Sequence, residues 1–510
     1  MWCGHTTPSD TQTRPVTQLC SQKRPAMATA ADDAAAAHHP SGRDHVVVFP
    51  FMAKGHTLPL LHFATALSVH HKGLRVTVVT TPANLAFARS RVPSSVRFAV
   101  LPFPSLPPLP AGVESTDALP SPSLHPTFVQ AAELLQEPFA ELMASLSSPS
   151  PPLVLVSDLF LGFTRRVAAD AGVRHVVFHG MSCFATALAT SAMMGPLPSC
   201  AGQGGSFHVP RMPAHLTFTA AEVPPDALAK TTDHADPSTD PRTDEDSEAS
   251  SWGVLVNSFT KLDEEFVAIV ESFNQPGSRA WLVGPLFLAA GDILQQREEQ
   301  DPEGCLPWLD EQSEPVVYVS FGTQAHVADE QLGELARGLV QSGHPFLWAV
   351  RSETWSPPAD VGPHGRVVRG WVPQRSVLEH RAVGGFVSHC GWNSVMESLA
   401  AGKPVLAWPM IAEQPVNARH VADMIGAGIR MDGGGVVGRA EVEKKVRRLM
   451  DAGGEEGRKM RARAAWARQA ARSAVSGGGT SRMALLELVE ELQRSYDRDA
   501  IVRERENTKV

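Results

Sequence analysis

The feature that most constrains the fold is a repeated alternation of short apolar runs with segments of helical periodicity. Runs such as HVVVFPF (His45 to Phe51), LRVTVVTT (Leu74 to Thr81) and LVLVSD (Leu153 to Asp158) are rich in β-branched residues, which is typical of buried parallel strands. Helical patterns follow them, such as LPLLHFATALSVH after the first run. This alternation predicts doubly wound parallel sheets whose ligands bind at the carboxyl ends of the strands.

The alternation runs through two series, which predicts an α/β protein of two Rossmann-like domains facing each other across a cleft. HVVFHG (His175 to Gly180) and GVLVNS (Gly253 to Ser258) continue the first series, and PVVYVSFGT, FLWAV, GGFVSH and PVLAWP form the second. The expected parts of the chain are a disordered extension (1–44), a first Rossmann-like domain (45–284), a linker (285–314), a second Rossmann-like domain (315–475), and a C-terminal helix and tail (476–510). We expect the C-terminal helix to pack back on the first domain.

Composition excludes several classes of protein. The chain has 510 residues, a net charge of −9 and 19% charged residues, so it lacks the basic character of a nucleic-acid-binding protein. No run approaches the ~18 apolar residues that a membrane span needs. The six cysteines are scattered without a C-x-x-C pair, which favours a reducing compartment over a disulfide framework or a zinc site. We therefore expect a cytoplasmic protein, a monomer, with no metal.

Two segments are predicted to lack regular structure. Residues 1–44 show no apolar period and no apolar core of a secretory signal. Met27 begins a stretch that reads like a natural start, so residues 1–26 are interpreted as an upstream extension or a mispredicted start, with a weak transit peptide as the alternative. Residues 231–250 are acidic and are predicted to be mobile.

The segment from Trp371 to Gln414, WVPQRSVLEHRAVGGFVSHCGWNSVMESLAAGKPVLAWPMIAEQ, places polar residues at successive strand ends. A helix predicted over 394–401 follows the strand GGFVSH and offers free backbone N–H groups to a phosphate. His389, Asn393 and Ser394 flank that terminus and can add donors to a diphosphate. Glu397 could bind ribose hydroxyls, or it could form a capping box with Ser394.

Three further positions in this segment could contact a ligand bound at the strand ends. Trp371 could stack on uracil while the backbone of Val372 reads the base edge, or it could be a core tryptophan. Glu413 and Gln414 follow the strand PVLAWP in a loop, with Pro415 at the first position of the next helix, and could hold sugar hydroxyls.

These 44 residues resemble the plant secondary product glycosyltransferase box of family 1, whose members have the GT-B fold. The resemblance extends over about residues 45–495 and includes SFGT, GVLVNSF and WLD. It implies roles for the donor-binding residues: uracil stacking by Trp371, ribose binding by Gln374 and Glu397, diphosphate contacts by His389, Asn393 and Ser394 with Thr323 nearby, and sugar contacts by Trp392, Glu413 and Gln414. The final Gln414 favours glucose over galactose.

Two residues at strand ends of the first series are candidates for catalysis. His56 lies in the loop after the strand HVVVFPF, and Asp158 ends the strand LVLVSD. A neutral histidine is a suitable base for a hydroxyl, and a carboxylate behind it would fix the tautomer. Alternatively, each residue caps a following helix, at Thr57 and Leu159. The resemblance implies that His56 and Asp158 are the catalytic pair.

The predicted activity is metal-independent, inverting transfer of a sugar, most simply glucose, from a UDP-sugar to a hydroxyl of a small apolar phenolic, flavonoid or terpenoid acceptor. The UDP-sugar is then a co-substrate, and no cofactor is expected. The alternatives are another donor such as UDP-galactose, UDP-xylose or UDP-rhamnose, a catalytically silent UDP-sugar-binding protein, and, more distantly, a dinucleotide oxidoreductase.

Overall fold

A computed structural model describes most of the chain in atomic detail. The described residues are 44–198, 201, 205–229, 251–291, 301–352, 354–362, 365–431 and 435–507. The predictions for the N-terminal extension up to residue 43 and for the acidic segment 231–250 lie outside these ranges.

The first half of the described chain forms a seven-stranded sheet in the order β3-β2-β1-β4-β5-β6-β7, in which every neighbouring pair is parallel. Its strands are β1 (His45–Phe49), β2 (Arg75–Thr80), β3 (Arg97–Val100), β4 (Val154–Asp158), β5 (Arg174–His179), β6 (Gly253–Val256) and β7 (Arg279–Leu282).

The second half forms a six-stranded sheet in the order β10-β9-β8-β11-β12-β13, again parallel throughout. Its strands are β8 (Val316–Ser320), β9 (Phe346–Ala349), β10 (Gly365–Val368), β11 (Val383–Ser388), β12 (Val405–Ala407) and β13 (Gly428–Arg430).

Helices connect the strands of both sheets. Those up to β8 are α1 (Lys54–His70), α2 (Pro82–Arg89), α3 (His125–Glu133), α4 (Gln136–Leu146), α5 (Thr164–Asp170), α6 (Cys183–Met194), α7 (Pro225–Ala229), α8 (Thr260–Glu271), α9 (Leu286–Ala289) and α10 (Cys305–Asp310). Those after β8 are α11 (Asp329–Ser342), α12 (Gln374–Glu379), α13 (Trp392–Ala401), α14 (Gln414–Arg419), a π-helix (His420–Met424), α15 (Arg439–Met450), α16 (Glu455–Val475) and α17 (Thr480–Asn507).

Both faces of the first sheet are buried, as its run of apolar residues predicts. Val46 and Val48 of β1 pack into one apolar cluster, whereas Val47 and Phe49 pack into another. Successive side chains of a strand point to opposite faces, so helices cover the sheet on both sides. The strand ends at Phe49, before the predicted Phe51, because Pro50 has no amide hydrogen to donate to a neighbouring strand.

The C-terminal helix α17 returns to the first sheet. Leu485 and Leu488 are buried in the same cluster as Val46, and Arg279 of β7 donates to Glu491 at 2.8 Å. Within the described residues, no helix combines the length and the apolar character that a membrane crossing needs.

Candidate active site

His56 and Asp158 meet at the carboxyl edge of the first sheet. The Nδ1 atom of His56 lies 2.8 Å from Oδ2 of Asp158, whose side chain is fully buried while that of His56 is 26% exposed. The contact arises because β1 and β4 are parallel neighbours and therefore end side by side. Oδ1 of Asp158 also accepts the backbone N–H of Phe160 at 3.0 Å, which fixes the carboxylate.

The helix-capping interpretation of these two residues is wrong. Helix α1 begins at Lys54 and its N-cap residue is Ala53, so His56 lies inside the helix, and the carboxylate that accepts the first N–H, that of Lys54 at 3.0 Å, belongs to Asp117. Asp158 holds a turn, and the next helix begins only at Thr164. The two side chains are therefore engaged with each other.

Opposing influences set the pKa of His56. Burial alone would lower this pKa, but the charge of Asp158 and its hydrogen bond raise it above the usual value of 6.5, with smaller contributions from Glu413 and Asp117. With Nδ1 facing Asp158, Nε2 is the nitrogen that can exchange a proton with a ligand.

Aromatic residues surround His56. The ring of Phe51 lies 5.8 Å from the imidazole centroid and that of Phe160 lies 5.2 Å away, both edge-on. Phe160 is 50% exposed, which is unusual for a phenylalanine beside a buried carboxylate. Phe160 is not among the residues predicted from the sequence, although its position two residues after Asp158 at a strand end is a usable signal.

A second residue at this site that was not predicted from the sequence is His179, the last residue of β5. Its neighbour Phe178 pairs with Asp158 in the sheet, which brings His179 to the same edge. Burial lowers the pKa of His179 to about 4, so the ring is neutral at pH 7. Its Nδ1 atom is buried and has no hydrogen-bond partner among the residues that the structure describes.

Gln374, Ser394 and Glu397 form one hydrogen-bonded group at the edge of the second sheet. The amide of Gln374 donates to Ser394 Oγ at 3.0 Å and to Glu397 Oε2 at 2.6 Å, while its Oε1 accepts the Tyr318 hydroxyl at 3.2 Å. Helix α13 begins at Trp392, two residues before the predicted start, with Gly391 as its N-cap residue. The capping box between Ser394 and Glu397 is therefore wrong.

Trp371 is 40% exposed, so the interpretation as a core tryptophan is also wrong. Its ring lies 5.6 Å from the guanidinium of Arg91, which belongs to the first half of the chain. Val372, the next residue, is buried among apolar side chains of the second half. The indole face is thus available at the surface beside the Gln374 group.

His389 follows β11 and is held between two backbone segments. A Cβ atom at Gly322 or Gly391 would lie 2.5 or 2.6 Å from its Nε2, so only glycine lets the ring fit there. Burial lowers the pKa of His389 to about 4, so the imidazole is neutral at pH 7 and acts through hydrogen bonds rather than charge. Thr323 lies one residue beyond Gly322 and is partly buried.

Trp392 and Asn393 connect the two halves of the molecule. Nδ2 of Asn393 donates to the carbonyl of Gly55, beside His56, at 2.7 Å. The indole of Trp392 is 2% exposed and donates to the carbonyl of Asn257 at 2.8 Å. The ring of Trp392 is therefore buried away from the exposed polar groups of the segment, and this differs from the expected sugar contact.

Glu413 is the N-cap residue of α14 and Gln414 is its first residue, so Gln414 lies in the helix rather than in the preceding loop, and Pro415 is the second residue. Oε1 of Gln414 accepts the N–H groups of Met410 and Ile411, both at 2.9 Å, and shapes that loop. Its amide nitrogen is left to meet a ligand. Burial raises the pKa of Glu413, which lies near enough to His56 to interact with it.

Comparison with known proteins identifies the family. Family models match over both halves: "Glycosyltransferase, N-terminal domain" over residues 44–288 and "UDP-glucoronosyl and UDP-glucosyl transferase" over 285–453. The chain is 35% identical to anthocyanin 3'-O-beta-glucosyltransferase of Gentiana triflora over 484 residues, which cover 88% of this chain and 98% of that protein. It is 37% identical to UDP-glycosyltransferase 90A1 of Arabidopsis thaliana, with 89% and 97% covered. The chain belongs to the plant family 1 UDP-glycosyltransferases.

Solved structures confirm the GT-B fold for this UDP-glycosyltransferase. UGT73P12 of Glycyrrhiza uralensis, complexed with glycyrrhetinic acid 3-O-monoglucuronide, matches with a TM-score of 0.76 at 30% identity, covering 91% of this chain and 99% of that one. UGT2 of Phytolacca americana, complexed with UDP-2fluoro-glucose and pterostilbene, matches with a TM-score of 0.69 at 26% identity, covering 88% and 99%. The predicted family, fold and enzyme class are confirmed, and family membership sets aside the oxidoreductase alternative.

Among the residues that the structure describes in this glycosyltransferase, no group of three or more His, Cys, Asp or Glu side chains is arranged to hold a metal ion. The polar side chains described at the two sheet edges are hydrogen-bond donors and acceptors. Among their histidines, His56 has a raised pKa, whereas the pKa values of His179 and His389 are lowered to about 4. Such a set can bind a nucleotide sugar and accept a proton.

Proposed function

We propose that the chain transfers glucose from UDP-glucose to a hydroxyl of a small apolar acceptor, with inversion at the anomeric carbon and without a metal or other cofactor. One observation carries the proposal: Asn393, in the turn that would hold the diphosphate, donates to the carbonyl of Gly55 at 2.7 Å. Gly55 is the neighbour of His56, so the leaving group and the base would meet at one point.

The donor would lie along the edge of the second sheet. The exposed face of Trp371 suits stacking on uracil, and Val372 offers its backbone to the base edge. Gln374 and Glu397 would bind the ribose. His389, Asn393, Ser394 and Thr323 would hold the diphosphate, and Glu413 with the amide of Gln414 would hold the sugar. For Trp392, the buried ring leaves the backbone as the group that can reach the sugar.

The proposed reaction is a single displacement. Nε2 of His56 takes the proton of the acceptor hydroxyl, and the acceptor oxygen forms a bond to the anomeric carbon from the face opposite UDP. The bond from that carbon to the diphosphate oxygen breaks, and its electrons leave with UDP. Asp158 keeps the proton of the imidazole on Nδ1 beforehand and stabilises the imidazolium afterwards.

The leaving diphosphate would be stabilised by protein donors. The amino terminus of α13 presents backbone N–H groups where the strand β11 ends. His389, neutral because burial lowers its pKa to about 4, would add a hydrogen bond rather than a charge. Donors placed where negative charge develops lower the barrier without the cation that other transferases use.

The acceptor would sit against the aromatic rings near His56. Phe51 and Phe160 offer apolar edges beside the base. The apolar helix α6, which begins three residues after Gly180 beside His56, would form an acceptor wall. This chemistry suits a flat phenolic, flavonoid or terpenoid. Similarity to a scopoletin glucosyltransferase of Nicotiana tabacum, 32% identical over 480 residues, supports a phenolic acceptor.

The first test is mass spectrometry of a panel of phenolics and terpenoids incubated with the protein, UDP-glucose and EDTA. We expect products heavier by one hexosyl residue, at the same rate with and without EDTA. An arm with UDP-galactose, UDP-xylose and UDP-rhamnose in competition tests the donor, since a related structure holds UDP-L-rhamnose. Binding of UDP-glucose without any product would favour the catalytically silent alternative, and loss of activity in EDTA would refute the metal-independent mechanism.

A second prediction concerns Glu397. Replacing it with alanine removes a charged partner from the ribose site, and we expect the Kd for UDP to rise by about 10–100-fold, as loss of a charged hydrogen bond implies. Isothermal titration calorimetry measures the change. The matched control is Glu455→Ala, an exposed helical glutamate whose ion pair with Lys459 lies at the surface. Equal UDP affinity in wild type and a folded Glu397 variant would contradict the assignment.

We also propose that residues 45–284 form the acceptor domain and 315–475 the donor domain, joined by the linker 285–314 and followed by the C-terminal segment 476–510. Support comes from the sheets, since β7 ends at Leu282 and β8 begins at Val316.

We also propose that the protein is a monomer and that it is cytoplasmic. The cytoplasmic location is proposed because Cys183, Cys305 and Cys390 are free and buried, which suits a reducing compartment. Size-exclusion chromatography and fluorescence microscopy of a tagged chain test these two points.

A further inference from the structure

Two consecutive residues of the donor half, Arg419 and His420, make buried polar contacts with the acceptor half. The guanidinium of Arg419 donates to the carbonyl of Thr217 at 2.6 Å and lies 3.4 Å from both carboxylate oxygens of Glu222. The side chains of this ion pair are only 17% and 4% exposed. Arg419 ends α14, the helix that begins with the proposed sugar-binding residue Gln414.

The partner of Arg419 belongs to residues 205–229, which we call the 205–229 segment. Phe207 and Phe218 exchange two backbone hydrogen bonds of 2.8 Å, which close the segment on itself. Glu222 completes a local turn by accepting the N–H of Thr219 at 2.9 Å. Its carboxylate therefore serves two purposes: it shapes the segment and holds it to α14.

Apolar packing places the 205–229 segment between α6 and α14. Phe207, Phe218 and Leu188 of α6 share one buried cluster with Val416 of α14. The guanidinium of Arg419 lies 4.8 Å from the ring centroid of Phe218, so Arg419 also makes a cation–π contact with this cluster. The segment is thus a layer joining the acceptor-side helix to a donor-side helix.

His420 lies at the same junction, beside the carboxylate that holds the start of α6. Its ring stacks on Trp392 and lies 3.7 Å from a carboxylate oxygen of Asp263. Asp263 in turn accepts the backbone N–H groups of Cys183 and Phe184, the first residues of α6, at 2.8 and 3.4 Å.

The residues just before α6 lie close to His56. A Cβ atom at Gly180, three residues before Cys183, would lie 3.7 Å from the imidazole of His56. The junction at Arg419 and His420 therefore acts on the elements beside the base.

We propose that Arg419, through its ion pair with Glu222, is a positioning residue for the acceptor: it anchors the 205–229 segment to α14 and so aligns the acceptor wall with the sugar end of the donor site. The inference rests on the proposed function. Arg419 itself touches neither the base nor the predicted donor-binding residues, and it acts through the segment and α6.

The kinetic test compares Arg419→Met and Arg419→Lys with wild type. For the methionine variant we expect the acceptor KM to rise by about tenfold or more, the size expected from losing a buried charged contact, with the KM for UDP-glucose changed by less than about twofold. Lysine keeps the charge and should recover a large part of the loss. A purely structural role would raise both KM values together, and an unchanged acceptor KM would overturn the proposal.

A second measurement is independent of turnover. Hydrogen–deuterium exchange of the ligand-free protein should show faster exchange across the 205–229 segment in Arg419→Met, with the Trp371 to Ala401 region unchanged. The matched control is Arg439→Met, the same substitution at a more exposed arginine of the donor half, whose ion pair with Glu334 is lost. Unchanged exchange in the segment would overturn the anchoring. If wild type proved inactive, the proposed function would fail, while this measurement would still decide whether Arg419 anchors the segment.

Discussion

Replacing His56 with alanine will reduce glucosyl transfer by about 10²–10⁴-fold, the range expected from losing general-base catalysis, while UDP binding persists. The loss follows from the geometry: Nδ1 is held at 2.8 Å from Asp158, so Nε2 is presented to the acceptor hydroxyl as the free base. The proposed donor site lies at the edge of the second sheet and includes no atom of His56. Product formation measured by mass spectrometry, with the Kd of UDP measured by calorimetry, separates catalysis from binding.

A matched histidine variant controls for nonspecific damage. His344 precedes β9 and so lies at the edge of the second sheet opposite to the ligand-binding edge. His344→Ala should retain wild-type transfer. Retained transfer in a folded His56→Ala protein would remove His56 as the base, whereas loss of UDP binding together with transfer would show that the substitution disturbs more than the proton-accepting nitrogen.

The fold and the meeting of His56 with Asp158 were predictable because both follow from strand periodicity. Runs of β-branched residues predict buried parallel strands, and parallel strands bring residues at their carboxyl ends to one edge. His56 and Asp158 are 102 residues apart in the chain, yet each ends or follows a central strand, and β1 and β4 are neighbours. Their juxtaposition required only that the strands be adjacent.

Local patterns were misleading where a distant residue decides the outcome. Ser394 and Glu397 have the spacing of a capping box, but Gln374, from a separate helix, takes both side chains. The four residues of the pattern contain no information about Gln374. Likewise Trp392 lies among polar residues of the nucleotide segment, yet its indole is buried because the carbonyl of Asn257, in the other half, accepts its N–H.

Sequence periodicity could not predict the contacts between the two halves. The ion pair of Arg419 with Glu222 joins residues 197 positions apart that sit at the end of one helix and in an irregular segment. Neither site has a repeating pattern, and arginine and glutamate are ordinarily surface residues. Phe160 was closer to prediction, since an aromatic residue directly after a strand-terminal aspartate is a candidate for ligand contact.

Replacing Asp158 with asparagine will lower kcat/KM by about 10²-fold or more and shift its pH dependence, because the variant changes both the tautomer and the charge balance of His56. In wild type, burial would lower the pKa of His56, but Asp158 raises it above 6.5. The base must be neutral to accept a proton, so activity falls as the pH drops through that raised pKa.

The sign of the shift distinguishes the role of Asp158 from general damage. Without the carboxylate, burial acts on His56 with only the weaker influences of Glu413 and Asp117 opposing it, so the pKa falls and the acidic limb moves to lower pH. Profiles of kcat/KM against pH for wild type, Asp158→Asn and the exposed control Asp170→Asn measure this. A slower enzyme with an unmoved limb would mean that the limb reports another group. A limb moving to higher pH would contradict the pairing itself, because loss of an anionic partner lowers the proton affinity of the base and does not raise it.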